Sequence, residues 1–166
     1  MEAWLRGPVS GVPPILVPVA HMLQHAHEDG ADALKDLTPD QIWGRPGSGA
    51  SVGFHIRHLI GALDRLFTYA RAEELSVAQL SALRAERDPG TPPADAMALT
   101  AALAAGTASA IDQLRATDAK TLLDARDVGR QHVPSTVLGL LVHGGEHSAR
   151  HAGQALTLRR VVLDGK

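Results

Sequence analysis

The chain has no cysteine, few aromatic residues, no long apolar run and no large excess of one charge. Without cysteine it can hold no disulfide bond, catalytic thiolate, iron–sulfur cluster or cysteine-ligated zinc ion. Two tryptophans, one tyrosine and two phenylalanines offer little surface for stacking nucleic-acid bases. Sixteen basic and eighteen acidic residues leave a net charge of −2, so we expect no nucleic-acid partner.

Signals for membrane insertion and export are also weak. A membrane-spanning helix needs about 20 consecutive apolar residues, and the longest apolar stretches, 12–20 and 137–142, are shorter. Glu2 and Arg6 precede the first stretch, which contains three prolines and matches a signal peptide poorly. We therefore expect no membrane partner and a cytoplasmic location.

The pattern of apolar residues predicts an all-α fold. Alternating runs typical of strands are nearly absent, whereas apolar residues recur at helical spacing in four long segments separated by proline and glycine. These predicted helices cover about residues 14–37, 51–74, 93–116 and 134–163. The fold class is therefore a four-helix bundle with a long crossover between helices 2 and 3. Because domains average about 150 residues, we predict a single domain over residues 1–166.

Details of three helices can also be predicted. On the first helix we expect one apolar face that includes Ile15 and a solvated polar face. Ser51 is placed to cap the second helix, because a serine hydroxyl satisfies free amides at a helix start. Ser76 is placed to cap a short extra helix over residues 77–87 within the crossover.

Nine histidines are the unusual feature of the composition. His143, His147 and His151 follow one another at four-residue intervals on the predicted fourth helix, within about 80° of one another. Leucines 140 and 158 share this stripe, so we predict that it faces the bundle interior. Buried imidazoles need partners for both ring nitrogens, and residues four apart can hold one metal ion. The alternative is a set of ordinary, hydrogen-bonded or partly exposed histidines.

Two other helices carry histidine pairs. On the second helix, His55 lies closer to the core direction than His58, so periodicity favours His55 as a third ligand. On the first helix, His21 and His25 lie opposite the apolar face beside Glu28, which predicts a solvated polar face. His27 and His132 have no companion at ligand spacing, and we assign no site to them.

The sequence does not predict the metal site of a zinc protease or of a di-iron bundle. The string from His143 to His147 fits the H-x-x-E-H pattern of some zinc proteases, but two glycines interrupt it and 19 residues follow it. The Glu-x-x-His signature of di-iron bundles does not occur, because no glutamate has a histidine three positions later. Glu146 and Arg150 instead have the spacing of a helical ion pair.

Three segments together resemble the DinB family. The segment 51–59, Ser-Val-Gly-Phe-His-Ile-Arg-His-Leu, resembles the second-helix motif of that family, in which a ligand histidine follows the serine by seven residues. The segment 147–154, His-Ser-Ala-Arg-His-Ala-Gly-Gln, resembles its terminal-helix motif His-x-x-x-His-x-Gly-Gln. The segment 37–43 is similar to the connection between the first two helices of the family. The resemblance covers nearly the whole chain in order.

This resemblance implies a metal site and a fold. The metal ligands of the family fall on His58, His147 and His151, so the resemblance and the periodicity disagree about His55, and we follow the motif. His55, His143 and Gln154 become candidates for orienting the ligands or facing a substrate. The implied cofactor is a divalent transition metal, Zn, Ni or Fe, and the implied assembly is a homodimer of four-helix bundles.

Three functions remain open on the sequence. The first is a metal-dependent enzyme, a thiol transferase or hydrolase, that acts on a small-molecule substrate such as a low-molecular-weight thiol. Three neutral imidazoles would leave positions on the ion free for such a molecule. The second is a non-catalytic metal-binding or stress-response module. The third is a structural bundle whose histidines are incidental. Arg57, Arg65 and Arg150 are candidates for attracting an anionic substrate, although no carboxylate is evidently placed as a general base.

Overall fold

The computed structural model describes residues 1–164 and is mostly helical, with one small sheet. Short 3-10 helices at Ala3–Leu5, Pro14–Leu16 and Ala119–Thr121 accompany the main elements. Those elements, in chain order, are α1 (Val17–Leu34), α2 (Pro39–Trp43), α3 (Val52–Ala70), α4 (Val77–Arg84), α5 (Ala96–Ala116), β1 (Ala125–Val128), β2 (Val133–Thr136) and α6 (Val137–Asp164). The prediction of a predominantly helical chain is confirmed. No helix within residues 1–164 is both long and apolar enough to cross a membrane.

Hydrogen bonds from capping side chains explain where α3, α4 and α5 begin. The Ser51 hydroxyl accepts a hydrogen bond from the Phe54 amide at 3.1 Å, so the predicted cap of α3 is confirmed. Ser76 caps α4 in the same way, and Gln79 returns a bond to the Ser76 amide to complete a capping box. Asp95 caps α5. Each cap fixes the residue at which its helix begins.

The long helices pack so that α6 contacts both α1 and α3, and α5 contacts the same two helices. Their buried faces are aliphatic, and each buried leucine or isoleucine contributes about 1.5–3 kcal/mol relative to exposure. The largest fully buried side chains include Leu23, Ile56, Leu59, Leu103 and Leu141. Because α3 and α6 share an extensive contact, side chains on their facing surfaces meet inside the molecule.

Two expectations about the elements are wrong. A hairpin of β1 and β2 occupies residues 125–136, where we expected a polar connection and the start of helix 4, so α6 begins at Val137. Each strand has only four residues and Pro134 lies in the second, which hides the strand pattern. Ile15, expected on the apolar face, is 57% exposed because residues 14–16 form a 3-10 turn that changes the helical phase before α1.

Two adjacent glycines allow α6 to approach its neighbours closely. A Cβ atom on Gly144 would lie 2.8 Å from Cε2 of Phe67 on α3. A Cβ atom on Gly145 would lie 3.2 Å from Cβ of Met22 on α1. The glycines that interrupt the H-x-x-E-H string are therefore packing residues: Gly144 allows the close approach of α6 to α3, and Gly145 allows its approach to α1.

Gly144→Ala should destabilise the protein, whereas Gly153→Ala should not. We expect Gly144→Ala to lower the free energy of unfolding by about 1–3 kcal/mol, since the added methyl meets an aromatic ring in the core. Gly153 has no heavy atom within 4 Å of its would-be Cβ, so alanine there should raise stability by about 0.5–1 kcal/mol through helix propensity. Urea unfolding of both variants checks this, and equal effects at the two sites would contradict the close packing.

Candidate metal centre

Three histidines from two facing helices form a compact group. His58 lies on α3, and His147 and His151 lie one turn apart on α6. One ring nitrogen from each lies within 4.8 Å of those of the other two, and Nε2 of His58 is 3.0 Å from Nε2 of His147. Two nitrogens bound to one tetrahedral zinc ion at 2.0–2.1 Å would be about 3.3 Å apart. The donor type and spacing therefore fit a divalent transition metal.

The other ring nitrogen of His58 faces a buried ion pair. Oε2 of Glu86 is 2.8 Å from Nδ1 of His58, and Nη1 of Arg65 donates to Oε1 of Glu86 at 2.9 Å. Glu86 is only 6% exposed. Burial raises the pKa of the Glu86 carboxyl, but the hydrogen bonds from His58 and Arg65 outweigh it and leave the pKa below its ordinary value. Glu86 is thus held as a carboxylate between His58 and Arg65.

His151 also has a partner outside the group of three. Its Nδ1 lies 2.8 Å from Nδ1 of His55, so one of these nitrogens donates a proton to the other. His55 is buried, and this burial, followed by the charges of His58 and Arg87, lowers its pKa. A buried neutral His55 therefore holds the His151 ring in place from the α3 side.

The environment keeps the α6 imidazoles neutral. Burial, followed by the charge of His58 and other nearby cations, lowers the pKa values of His147 and His151 to about 4. Both rings are therefore uncharged at neutral pH. The neutral imidazole is the form that binds a metal, so no proton must first be removed from either ring.

Comparisons with known proteins show the family and the fold of this chain. The family model of the DinB superfamily matches residues 22–155. The chain belongs to the DinB superfamily. The solved structure of a conserved protein from Enterococcus faecalis is similar in fold, with a TM-score of 0.72, 23% sequence identity, and coverage of 92% of this chain and 98% of that one. No curated protein sequence gives a match.

Within this DinB-superfamily fold, the residues expected at the site lie in different places. His58, His147 and His151 come together as the family motifs imply, and His55 is placed beside His151 instead of in the group. His143 is exposed, with its Nδ1 3.2 Å from Oε2 of Glu146 and its ring centroid 5.4 Å from that of His147.

Gln154 was expected to orient a ligand or face a substrate, and His21 and His25 were expected on a solvated face. The Gln154 side chain is exposed and makes no hydrogen bond within residues 1–164, so the structure shows no contact through which it would orient a ligand. His21, expected on a solvated face, is buried, and its Nε2 lies 2.8 Å from the Gly7 carbonyl oxygen. The chain before α1 folds back over this face at His21 and covers that part of it. His25 stays exposed beside Asp29.

The three arginines considered for anion binding are already engaged. Arg65 binds Glu86, and Arg150 binds Glu146 with its Nε 2.9 Å from Oε1, as the spacing predicts. Arg57 donates to backbone carbonyl oxygens of the crossover, including that of Pro89 at 3.2 Å. All three guanidinium groups have partners, and those of Arg57 and Arg65 connect α3 to the crossover.

Glu86 is the residue of the site that the sequence did not indicate. It lies just after α4, in the crossover, and no periodicity connects it with the histidines. The pair does depend on a glycine at position 61. A Cβ atom there would lie 2.9 Å from Oε1 of Glu86 and 2.8 Å from Nη1 of Arg65. A glycine on the outer face of α3 makes room for the buried pair.

Proposed function

We propose that this DinB-superfamily chain binds one divalent transition-metal ion through His58, His147 and His151 and acts there on a small molecule. The observation that carries the proposal is the group of three imidazole nitrogens within 4.8 Å of one another, with no carboxylate oxygen among them. Three protein ligands leave at least one position on such an ion open, as in catalytic zinc sites. Imidazoles suit Zn, Ni and Fe alike, and the proposal does not choose among them.

The proposed reaction class is transfer or hydrolysis, with a low-molecular-weight thiol as the favoured substrate. When bound, such an ion would act as a Lewis acid that polarises a carbonyl and favours deprotonation of a thiol or water. The protein residues would orient the site: Glu86 holds His58 and His55 holds His151. His143, exposed beside His147, is the imidazole available to hold or move a proton on the solvent side.

A cavity next to Glu86 is a second feature in favour of a small-molecule partner, although none of the three histidines lines it. Glu86 and Gly61 line a cavity of about 480 Å³ between α3 and α5, whose other walls are largely apolar, including Leu63, Phe67 and Leu99. Ligand pockets of about 300–1,000 Å³ with apolar walls and few polar groups are typical of small-molecule sites. A ligand in this cavity would touch the carboxylate that holds His58.

The remaining parts of the proposal rest on the sequence patterns and, for the homodimer, on the family resemblance. They are a four-helix bundle with its crossover between α3 and α5, a single domain over residues 1–166, a homodimer and a cytoplasmic location. The competing proposal is a non-catalytic metal-binding or stress-response module. It is favoured by the absence of any carboxylate in the group of three that would act as a general base.

Cobalt(II) spectroscopy distinguishes the two proposals. We expect the cobalt-loaded protein to change its visible spectrum with azide, which probes any open position, and to gain a sulfur-to-metal absorption band with 2-mercaptoethanol. A response to azide alone would keep the open site and reject the thiol. No response to either would contradict the open site and favour the non-catalytic module. Turnover assays with thiols and esters would follow a positive result.

A further inference from the structure

The two nitrogens of the His58 ring have opposite surroundings. Nε2 faces the group of three, 3.0 Å from Nε2 of His147. Nδ1 faces Oε2 of Glu86 at 2.8 Å. A neutral imidazole carries its proton on only one of these nitrogens, and only the other can bind a metal. Which nitrogen holds the proton therefore decides whether His58 can serve as a ligand.

We propose that the Arg65–Glu86 pair is a positioning device that keeps the His58 proton on Nδ1 and so leaves the Nε2 lone pair for the metal. The inference rests on the proposed metal binding. The guanidinium of Arg65 only donates, so it takes Oε1 of Glu86 as an acceptor. The carboxylate has no proton to give at Oε2, so Nδ1 of His58 must donate. Such carboxylate–histidine pairs behind a metal fix both tautomer and ring orientation.

The crossover segment holds this carboxylate in place. Glu86 follows α4, and Arg57 of α3 donates to the carbonyl oxygens of Ala85 at 3.3 Å and Pro89 at 3.2 Å, on either side of it. The missing side chain at Gly61 lets the carboxylate approach α3. The connection between α3 and α5 is therefore part of the metal centre, although it supplies no ligand.

The Glu86→Gln variant distinguishes control of the His58 tautomer from simple packing. Arg65 would take the amide oxygen of the Gln side chain, and the amide NH2 would then face Nδ1 of His58. That arrangement favours the proton on Nε2, which is the nitrogen that the metal needs. Alanine instead removes the partner and leaves the ring free to adopt either tautomer. A packing role predicts that the nearly isosteric glutamine is milder than alanine, and the tautomer role predicts that it is at least as harmful.

The test combines nitrogen-15 NMR of the metal-free protein with competition for zinc against a chromogenic chelator. In wild-type protein we expect His58 to be protonated on Nδ1, and in Glu86→Gln on Nε2. Zinc affinity should fall roughly 10- to 100-fold in Glu86→Gln and by no more than that in Glu86→Ala. Glu146→Gln is the matched control, because Glu146 also joins an arginine, Arg150, to a histidine, His143, but on an exposed surface. It should change zinc affinity by only a few-fold.

The outcomes separate the two proposals. An Nε2–H tautomer of His58 in the wild type would overturn the inference. This measurement needs no variant, so it decides the question even if Glu86→Gln does not fold. Zinc affinity in Glu86→Gln equal to that of the wild type would also overturn it. A wild-type protein that shows the Nδ1–H tautomer but binds none of zinc, nickel and iron(II) would refute the proposed function, and the tautomer assignment would still stand.

Discussion

Replacing His147 by alanine is expected to remove stoichiometric metal binding while the helices stay folded. The group would keep only two of its three imidazoles, and the loss of affinity should exceed the roughly 100-fold cost of losing an outer hydrogen-bonding partner. Below pH 6.5 the metal-free variant should be no less stable than metal-free wild type, because the unfolded chain can protonate this ring whereas burial in the folded chain disfavours its charged form. Plasma mass spectrometry of purified protein and thermal unfolding in the presence of a chelator measure the two quantities.

His143→Ala is the control for this experiment. It removes a histidine from the same helix one turn earlier, but that side chain is exposed and lies outside the group of three. We expect it to retain one metal ion per chain. Metal retained by His147→Ala, or lost by His143→Ala, would contradict the assignment of the ligands.

The metal-free protein is expected to lose stability as the pH falls from about 6.5 to about 4. In the folded chain the pKa values of His147 and His151 are about 4, and in the unfolded chain they return to the ordinary 6.5. Between these values the unfolded chain binds protons that the folded chain does not, so acid favours unfolding. Each imidazole accounts for at most about 3 kcal/mol, before the screening by solvent at a half-buried site is discounted. Urea unfolding across this pH range measures the slope.

A double variant, His147→Ala with His151→Ala, isolates this effect. Its stability should depend less on pH over the same range, and the two proteins should show the same pH slope above 6.5, where both rings are neutral in either state. Saturating zinc should steepen the acid loss in the wild type only, since protons compete with the metal for the same nitrogens. Equal pH slopes in the two proteins would show that these rings titrate normally.

Most of the helical framework could be predicted because its signals are local. Ser51 and Ser76 cap α3 and α4 as their positions indicate, and the predicted ends of α5 and α6 lie within about three residues of those observed. The errors arose where local signals are weak. A 3-10 turn changes the helical phase at Ile15, and a hairpin of two four-residue strands has too short a pattern to detect.

The choice between His55 and His58 depended on information that periodicity lacks. Both residues face α6, so a helical wheel separates them poorly. They differ in their position along the helix axis. The His58 ring lies beside both α6 histidines, with ring centroids 5.1 Å from His147 and 4.5 Å from His151, whereas His55 pairs with His151. The motif carried this axial information, and the periodicity did not.

Glu86 could not be predicted, because its place depends on how the crossover folds back onto α3. That docking is tertiary: Gln79 of α4 donates to Asp64 and Thr68 of α3 at 2.8 Å each. A glutamate in a connecting segment has no spacing that relates it to a histidine 28 residues earlier. The burial of His21 under the chain preceding α1 was missed for the same reason.

The most direct test of the central claim is anomalous diffraction from a crystal of the zinc-loaded protein, collected on both sides of the zinc absorption edge. The structure predicts one anomalous peak within about 2.0–2.1 Å of a ring nitrogen of His58, His147 and His151, with Nδ1 of His58 still facing Glu86. A peak that has His55 as a ligand in place of His58, or no peak at this group in protein saturated with zinc, would contradict the account.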